Sequence, residues 1–276
     1  MKIAIHQMCS GVDPLRNADD MKIAITAAAR DGATMYFAPE MSILIDRDRA
    51  RSQSSISIEE QTAALQVIGD AAAAGEIWVH LGSIPVRIEA DSQRLANRSL
   101  IIDDKGRIRA RYDKMHLFDV ALASGESWRE SSVYDAGSGP VVVETPLGSL
   151  GLTICYDMRF PDLFSALAKA SVDAIAVPAA FTVPTGKAHW HTLLRARAIE
   201  AQAFVIAAAQ SGQHEDGRST FGHSLVVDPW GDVLLDMGEA EGLGYAEIDL
   251  ARIAEVRSQI PVHANRRTVS DQVGRF

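Results

Sequence analysis

Apolar residues follow two periods along this chain, and the pattern predicts an α/β protein. Short apolar runs between turn residues indicate buried strands, and apolar residues three and four apart indicate helices. The predicted strands are residues 2–8, 34–38, 77–86, 97–102, 107–112, 141–144, 150–154, 174–178, 204–209, 223–227, 233–235 and 244–248. The predicted helices are residues 17–30, 58–74, 162–170, 190–202 and 250–259. Strand, helix and strand within the first 38 residues favour a crossover unit.

Polar segments between these elements are predicted to be loops. A mixed-charge loop is expected at residues 47–51, and longer polar loops at residues 181–189 and 210–221. No low-complexity linker or break in composition divides the chain. We therefore expect residues 1–276 to form one domain.

One cysteine occupies a position that suits a nucleophile. Cys155 follows the apolar run 150–154, and a helical pattern begins near Pro161. A turn between a buried strand and a helix can expose a nucleophile beside free backbone N–H groups. A lone cysteine is more often a small core residue. The polar neighbours Asp157 and Arg159 favour chemistry instead.

Further reactive side chains follow other predicted strands. Glu40 comes after the run 34–38, and Lys114 and His116 follow the strand 107–112. The carboxyl ends of strands are where open α/β sheets bind ligands. A carboxylate base, a lysine cation and a thiol together suit amide hydrolysis. Two other arrangements stay open. One is a pair of Cys155 with a histidine, for which the candidates are His116, His189, His191, His214 and His223. The other is a zinc site at His189-x-His191, which is a weak ligand pair.

Composition narrows the classes of partner. With 27 basic and 36 acidic residues the net charge is −9, so no broad basic surface for nucleic acid or anionic membrane is indicated. The sequence contains no signal peptide, no apolar run of roughly 18 residues, and no glycine-rich nucleotide motif. The two cysteines are expected to be free thiols. These features predict a cytoplasmic protein.

Three motifs in order resemble the nitrilase (carbon–nitrogen hydrolase) superfamily. They are Phe37-Ala-Pro-Glu40, Tyr112-x-Lys-x-His-Leu-Phe118 and Gly151-x-x-Ile-Cys-Tyr-Asp-Met-Arg-Phe-Pro161. The resemblance covers essentially the whole chain. It implies an α-β-β-α sandwich whose subunits pair into a homodimer or larger homo-oligomer. It also implies chemistry without a metal or other cofactor. The implied site is a Glu–Lys–Cys triad of Glu40, Lys114 and Cys155. Glu130 is the implied accessory glutamate, and the backbone N–H of Tyr156 is the implied oxyanion contact.

Residues 185–190, 194–200, 208–212 and 222–231 are similar to motifs of the Nit branch of that superfamily, and Cys155-Tyr-Asp differs from the Cys-Trp-Glu of nitrile-hydrolysing members. The branch implies a small carboxylate-bearing amide as substrate. Deaminated glutathione is expected first, with 2-oxoglutaramate and an N-carbamoyl amino acid as alternatives. A catalytically inert binding protein on this fold is the non-enzyme alternative. We expect Arg159 to hold the substrate carboxylate, unless it pairs with Asp157 or Asp162.

Two further side chains complete the expected substrate contacts. Lys187 and His189 lie in a segment predicted to be an active-site loop. The sequence departs from the pattern of the branch at Lys187, where proline is usual, and at His191, where glutamate is common. Both departures bear on the choice of substrate more than on the chemistry.

Overall fold

The computed structural model describes residues 1–90, 92–121 and 127–269. Its strands, in chain order, are β1 (Lys2–Gln7), β2 (Met35–Phe37), β3 (Trp78–His80), β4 (Ile84–Arg87), β5 (Leu95–Ile102), β6 (Ile108–Asp113), β7 (Asp119–Ala121), β8 (Ser127–Arg129), β9 (Val141–Thr145), β10 (Gly148–Leu152), β11 (Ala174–Ala176), β12 (Phe204–Ala207), β13 (Ser211–Gln213), β14 (Ser219–Phe221), β15 (Leu225–Val227), β16 (Val233–Asp236) and β17 (Gly242–Glu247). Its α-helices are α1 (Pro14–Arg30), α2 (Arg49–Ser55), α3 (Ala63–Gly75), α4 (Pro161–Lys169), α5 (Val183–Ala201), α6 (Ala251–Gln259) and α7 (Val262–Asn265).

Most of these strands form two mixed sheets. The first has the order β17-β1-β2-β3-β5-β4, with β6 also paired to β5, and the second has the order β16-β15-β12-β11-β10-β9. Each sheet has a parallel centre, β1 to β3 in the first and β10 to β12 in the second. Helix α1 connects β1 to β2, and α4 and α5 connect the parallel strands of the second sheet, as the crossover pattern predicts.

Alternating side chains on the first sheet create the layers. Ile3 and Ile5 belong to a core shared with the second sheet and with α4 and α5. Ala4 and Tyr36 point the other way, into a second core built with α1 and α3. Since residues i and i+2 of a strand face the same side, each half of this pattern fills one core. The layers are therefore helix, sheet, sheet and helix, which confirms the predicted α/β four-layer sandwich.

Helix α3 begins at Ala63 rather than at the predicted residue 58, and three further helix or loop predictions are wrong. Helix α1 begins at Pro14, because the side chain of Asp13 accepts hydrogen bonds from the first-turn N–H groups. Helix α2, capped in the same way by Asp48, replaces most of the predicted loop 47–51. Helix α5 begins at Val183, with a proline in its first turn, where a missing N–H costs nothing. Residues 183–189 are therefore helical, although a loop was predicted there.

Two predicted segments are divided differently in the structure. The predicted strand 77–86 is interrupted between β3 and β4 at Gly82, where φ is +75°. A side chain there would meet the carbonyl oxygen of Pro39 at 1.9 Å, so the chain must turn on a glycine. The predicted loop 210–221 contains a hairpin of β13 and β14.

Among the described helices, none combines the length and hydrophobicity needed to cross a membrane.

Candidate active site

Three strands deliver the sequence-predicted triad to one buried place. Glu40 lies three residues beyond β2, Lys114 directly follows β6, and Cys155 lies three residues beyond β10. The Nζ atom of Lys114 donates to Oε1 of Glu40 at 2.8 Å and to Oε2 of Glu130 at 3.0 Å. The lysine side chain is only 2% exposed. A buried ammonium needs such partners, and here two carboxylates surround it.

The backbone at Cys155 forms a strained turn. Its φ is +46°, and residues Cys155–Arg159 form a 3₁₀ turn ahead of α4. The N–H of Cys155 donates to the carbonyl oxygen of Pro178 at 2.9 Å. The N–H of Tyr156 has no acceptor in the part of the chain that the structure describes. A left-handed non-glycine residue followed by a residue with a free N–H is the geometry expected of a nucleophile with an adjacent oxyanion contact.

Asp157 fastens this turn to the segment that carries Lys114. Its carboxylate is fully buried and accepts four hydrogen bonds. They come from the hydroxyl of Tyr112 (2.7 Å), the N–H and Nδ1 of His116 (3.0 and 2.7 Å) and the N–H of Ile154 (2.8 Å). The two motifs that contain these residues are therefore one structural unit. Sequence reasoning missed this role and offered Asp157 as a partner of Arg159.

Asn97 is a second residue that sequence reasoning missed. It is fully buried in β5, and its Nδ2 donates to Oε1 of Glu40 at 3.0 Å and Oε1 of Glu130 at 3.2 Å. Each carboxylate also accepts a hydrogen bond from the backbone. The N–H of Ala180 donates to Glu40 at 3.0 Å, and the N–H of Phe118 donates to Glu130 at 2.6 Å. Each carboxylate therefore has a fixed orientation. A polar residue inside a buried strand was the available sequence signal.

The charges of the site favour an ionised Glu40 beside a neutral thiol. Burial alone would raise the pKa of Glu40, but Lys114 and hydrogen bonds from Cys155 and Asn97 hold this pKa below its ordinary value. Burial would lower the pKa of Lys114, whereas Glu130 and Glu40 hold it well above its ordinary value. Burial and the charge of Glu40 raise the pKa of Cys155 well above its ordinary value. A carboxylate base thus faces a thiol that keeps its proton.

The histidine alternatives find no support in the geometry. Among the described residues, the histidines considered as partners of Cys155 make their hydrogen bonds elsewhere: His116 with Asp157, His189 with Arg159, His191 and His223 with Asp236, and His214 with Ser10 and Thr220. The ligand atoms of His191, His223 and Asp236 lie within 4.8 Å of one another, a spacing that could hold a metal ion. None of the three lines the cavity at the triad.

A cavity of about 750 Å³ opens onto the triad, and its lining includes Glu40, Lys114, Cys155, Glu130 and Tyr156. Sites that hold drug-sized ligands span roughly 300–1,000 Å³, so there is room for more than a small amide.

Arg159, Lys187 and His189 do not line this cavity. Arg159 stacks on the lining residue Phe181, with its Cζ 5.2 Å from the ring centroid, and shares a hydrogen bond of 3.3 Å with Nδ1 of His189. Lys187 lies exposed on α5. The basic residues that sequence reasoning missed here include Arg47 and Arg218, whose polar loops gave no signal of a shared site.

The chain has recognisable relatives over its whole length. The carbon–nitrogen hydrolase family matches residues 2–258. A deaminated glutathione amidase of Yersinia enterocolitica is 36% identical over 275 residues, covering 99% of this chain and 96% of that protein. The nitrilase and fragile histidine triad fusion protein NitFhit of Caenorhabditis elegans is 39% identical over 267 residues, 96% of this chain. This match spans only 60% of the fusion protein.

Solved structures agree with the sequence relatives. The crystal structure of the C. elegans NitFhit protein superposes with a TM-score of 0.89 at 38% identity, covering 96% of this chain and 65% of that chain. Saccharomyces cerevisiae Nit3, a member of branch 10 of the nitrilase superfamily, superposes with a TM-score of 0.86 at 28% identity, covering 97% of both chains. The family match, the shared fold and the buried Glu–Lys–Cys arrangement together establish that this chain belongs to the carbon–nitrogen hydrolase family.

Proposed function

We propose that this protein is a cysteine-dependent amidase whose substrate is deaminated glutathione. The observation that carries the proposal is the full-length similarity to proteins of that name, at 36% identity to the Yersinia relative. The site supports it, since Glu40, Lys114 and Cys155 meet in a cavity of about 750 Å³. Deaminated glutathione is a peptide-like molecule with an oxo-acid acyl group, a scissile amide and a cysteinylglycine leaving group.

The proposed reaction begins at the neutral thiol. Glu40 accepts the proton of Cys155 as the sulfur attacks the amide carbon, and the C–S bond forms. Charge then develops on the carbonyl oxygen, which the ammonium of Lys114 and the N–H of Tyr156 stabilise. Glu40 returns the proton to the departing amine as the C–N bond breaks, which leaves a thioester on Cys155. Glu40 next removes a proton from water as the water oxygen forms a bond to the thioester carbon. The C–S bond then breaks and Glu40 returns the proton to the sulfur, which releases the free acid and restores the thiol.

Glu130 acts as a positioning residue in this proposal. Its two oxygens lie 3.2 and 3.0 Å from Nζ of Lys114, which also donates to Glu40. It therefore keeps Lys114 charged and restricts the directions in which the lysine can point. The backbone N–H of Phe118 donates a hydrogen bond to Glu130 and fixes its carboxylate. The fixed carboxylate then orients the ammonium of Lys114.

Arg159 is proposed to bind the carboxylate of the acyl group, together with His189, which hydrogen-bonds to it, and Lys187, two residues before His189 in the chain. Arg159 lies four residues beyond the nucleophile and packs on Phe181, which lines the cavity. Its Cζ lies 5.2 Å from the centroid of this ring. A rotation of the ring or of the arginine would bring a planar donor pair to a carboxylate.

The protein is also proposed to act in the cytoplasm as a homodimer or larger homo-oligomer. Both cysteines are free, as a reducing compartment favours. Ile199, Trp230, Val233 and Leu234 are large apolar residues between 42% and 48% exposed, and they lie on α5 and around the turn between β15 and β16. A second copy would cover such a surface. Sedimentation of the purified protein tests this, and a monomer at micromolar concentration would contradict it.

A substrate panel tests the proposed activity. Release of cysteinylglycine from deaminated glutathione should exceed the release of ammonia from 2-oxoglutaramate and from an N-carbamoyl amino acid, each compared by kcat/KM. The alanine variant at position 155 serves as the blank. A preference for either of the other two substrates would reject deaminated glutathione as the substrate while leaving the amidase chemistry intact. If the wild-type protein hydrolysed none of these amides, the proposal that it is an amidase would be rejected.

A further inference from the structure

Two arginines and a tryptophan form a cationic cluster in the cavity that the proposed hydrolysis does not use. Arg47 and Arg218 each place their Cζ against the indole of Trp128, at 5.0 and 4.9 Å from the ring centroid. All three line the same cavity as Cys155. We call them the Arg47–Trp128–Arg218 cluster. In the part of the chain that the structure describes, none of the three hydrogen-bonds to Glu40, Lys114 or Glu130.

The cluster has more positive charge than its acids neutralise. Arg218 pairs with Asp216, its Nε lying 2.8 Å from a carboxylate whose side chain is 1% exposed. The neighbouring Asp46 is held by Arg51 at 2.6 and 2.7 Å. Within the described residues, Arg47 makes no hydrogen bond and no ion pair. Asp216 therefore neutralises the charge of Arg218, whereas the charge of Arg47 has no paired acid among the described residues.

This excess charge suits an anion. Burial lowers the pKa of Arg218, and the charge of Arg47 lowers it further, whereas Asp216 opposes the shift. A carboxylate bound to the two arginines would relieve their repulsion. It would also find planar donors already held in place by the indole, so that little side-chain entropy would be lost on binding.

Tyr134 relates the cluster to the reacting groups. It lines the cavity, and burial raises its pKa. The cluster, Tyr134 and the triad thus line one cavity, and in the described part of the chain no hydrogen bond joins the cluster to Glu40, Lys114 or Glu130. The cluster is therefore near the triad but beyond hydrogen-bonding contact with it. An anion bound there has to be joined to the scissile amide by a spacer.

We propose that Arg47 and Arg218 bind the terminal carboxylate of the leaving group, and so select peptide-like amides over 2-oxoglutaramate. This rests on the proposed function. In deaminated glutathione the leaving group is a dipeptide, which spans roughly 7 Å when extended and ends in a carboxylate. The leaving group of 2-oxoglutaramate is ammonia, which has neither spacer nor charge. The acyl groups of the two substrates are the same, so only the leaving-group side can distinguish them.

The test compares matched substrates on Arg47→Gln. For deaminated glutathione we expect kcat/KM to fall about 10- to 100-fold, mostly through KM, because one charge-assisted contact is lost. The same variant should be within twofold of wild type on 2-oxoglutaramate and on deaminated glutathione whose terminal glycine is a carboxamide. Arg47→Lys should recover part of the lost affinity. Arg30→Gln, an exposed arginine outside the cavity, controls for the change in net charge.

Equal losses on all three substrates would overturn the proposal, and so would an unchanged kcat/KM on deaminated glutathione. A direct binding measurement separates this outcome from failure of the proposed function. Calorimetry with the inactive Cys155→Ala protein should show tighter binding of deaminated glutathione than of its carboxamide, and Arg47→Gln added to that protein should abolish the difference. If wild type hydrolyses no amide but this difference is present, the function fails and the carboxylate site stands. Equal affinities for the two ligands would reject the site whatever the activity.

Discussion

Replacing Asp157 by asparagine tests whether the nucleophile turn depends on one buried carboxylate. Asparagine has almost the same shape but substitutes an NH₂ group for one accepting oxygen. Oδ1 receives both bonds from His116, and Oδ2 receives those from Tyr112 and Ile154. Tyr112 and the imidazole can reverse their roles and accept. The backbone N–H of His116 or of Ile154 cannot, so at least one buried donor faces another donor.

The expected cost follows from that count. One unsatisfied buried N–H costs about 1–3 kcal/mol, and the remaining bonds lose the strength that a charged acceptor gives. We expect the free energy of unfolding to fall by about 2–4 kcal/mol, which in a protein of this size lowers Tm by about 3–7 °C. Because the turn positions Cys155, kcat should fall as well, by about 100-fold for a displacement near 1 Å.

Thermal and urea denaturation measure the loss, with Asp162→Asn as the matched control. Asp162 is exposed in the first turn of α4, where a carboxylate is worth about 0.3–1 kcal/mol. If the two variants melted within about 2 °C of each other, Asp157 would not hold the turn as we describe.

Three further predictions concern the reacting groups. Lys114→Arg should lower kcat about 100- to 1000-fold, because a planar guanidinium cannot occupy the place of a compact ammonium between two carboxylates; turnover within a few-fold of wild type would refute an oxyanion role. The rate at which iodoacetamide alkylates Cys155 should keep rising with pH beyond 9, since the pKa of the thiol is raised. A plateau below pH 8 would indicate a resting thiolate. Arg159→Lys should reduce kcat/KM more on acidic amides than on a matched amide whose acyl group lacks the carboxylate. Equal losses would assign Arg159 to structure.

Each residue of the predicted triad follows a strand, and the structure brings the three side chains to one cavity. Glu40 and Cys155 come after buried runs and Lys114 after the half-buried strand β6, and such positions converge in an α/β sandwich. The three motifs also stand in an order and spacing that identify the family. The layers follow from alternation, as Ile3 and Ile5 illustrate by filling one core while Ala4 enters the other.

Other features have no local signal. The start of α5 contains Pro184 and Gly186, which reads as a loop, and the helix forms because tertiary packing outweighs weak propensity. The Arg47–Trp128–Arg218 cluster combines three segments far apart in the chain, so no window of sequence contains it. Arg159 suggested a carboxylate site by its distance from Cys155 along the chain. In the fold its guanidinium packs on Phe181, and Arg159 itself does not line the cavity.

A covalent acyl-enzyme on Cys155 is the intermediate that the whole mechanism requires. Acid quenching of the enzyme during turnover of deaminated glutathione, followed by proteolysis and mass spectrometry, would locate it. We predict that the peptide containing Cys155 gains the mass of a 2-oxoglutaryl group, that Cys9 stays unmodified, and that Cys155→Ala shows neither the adduct nor turnover. Hydrolysis at an undiminished rate by Cys155→Ala would contradict the account.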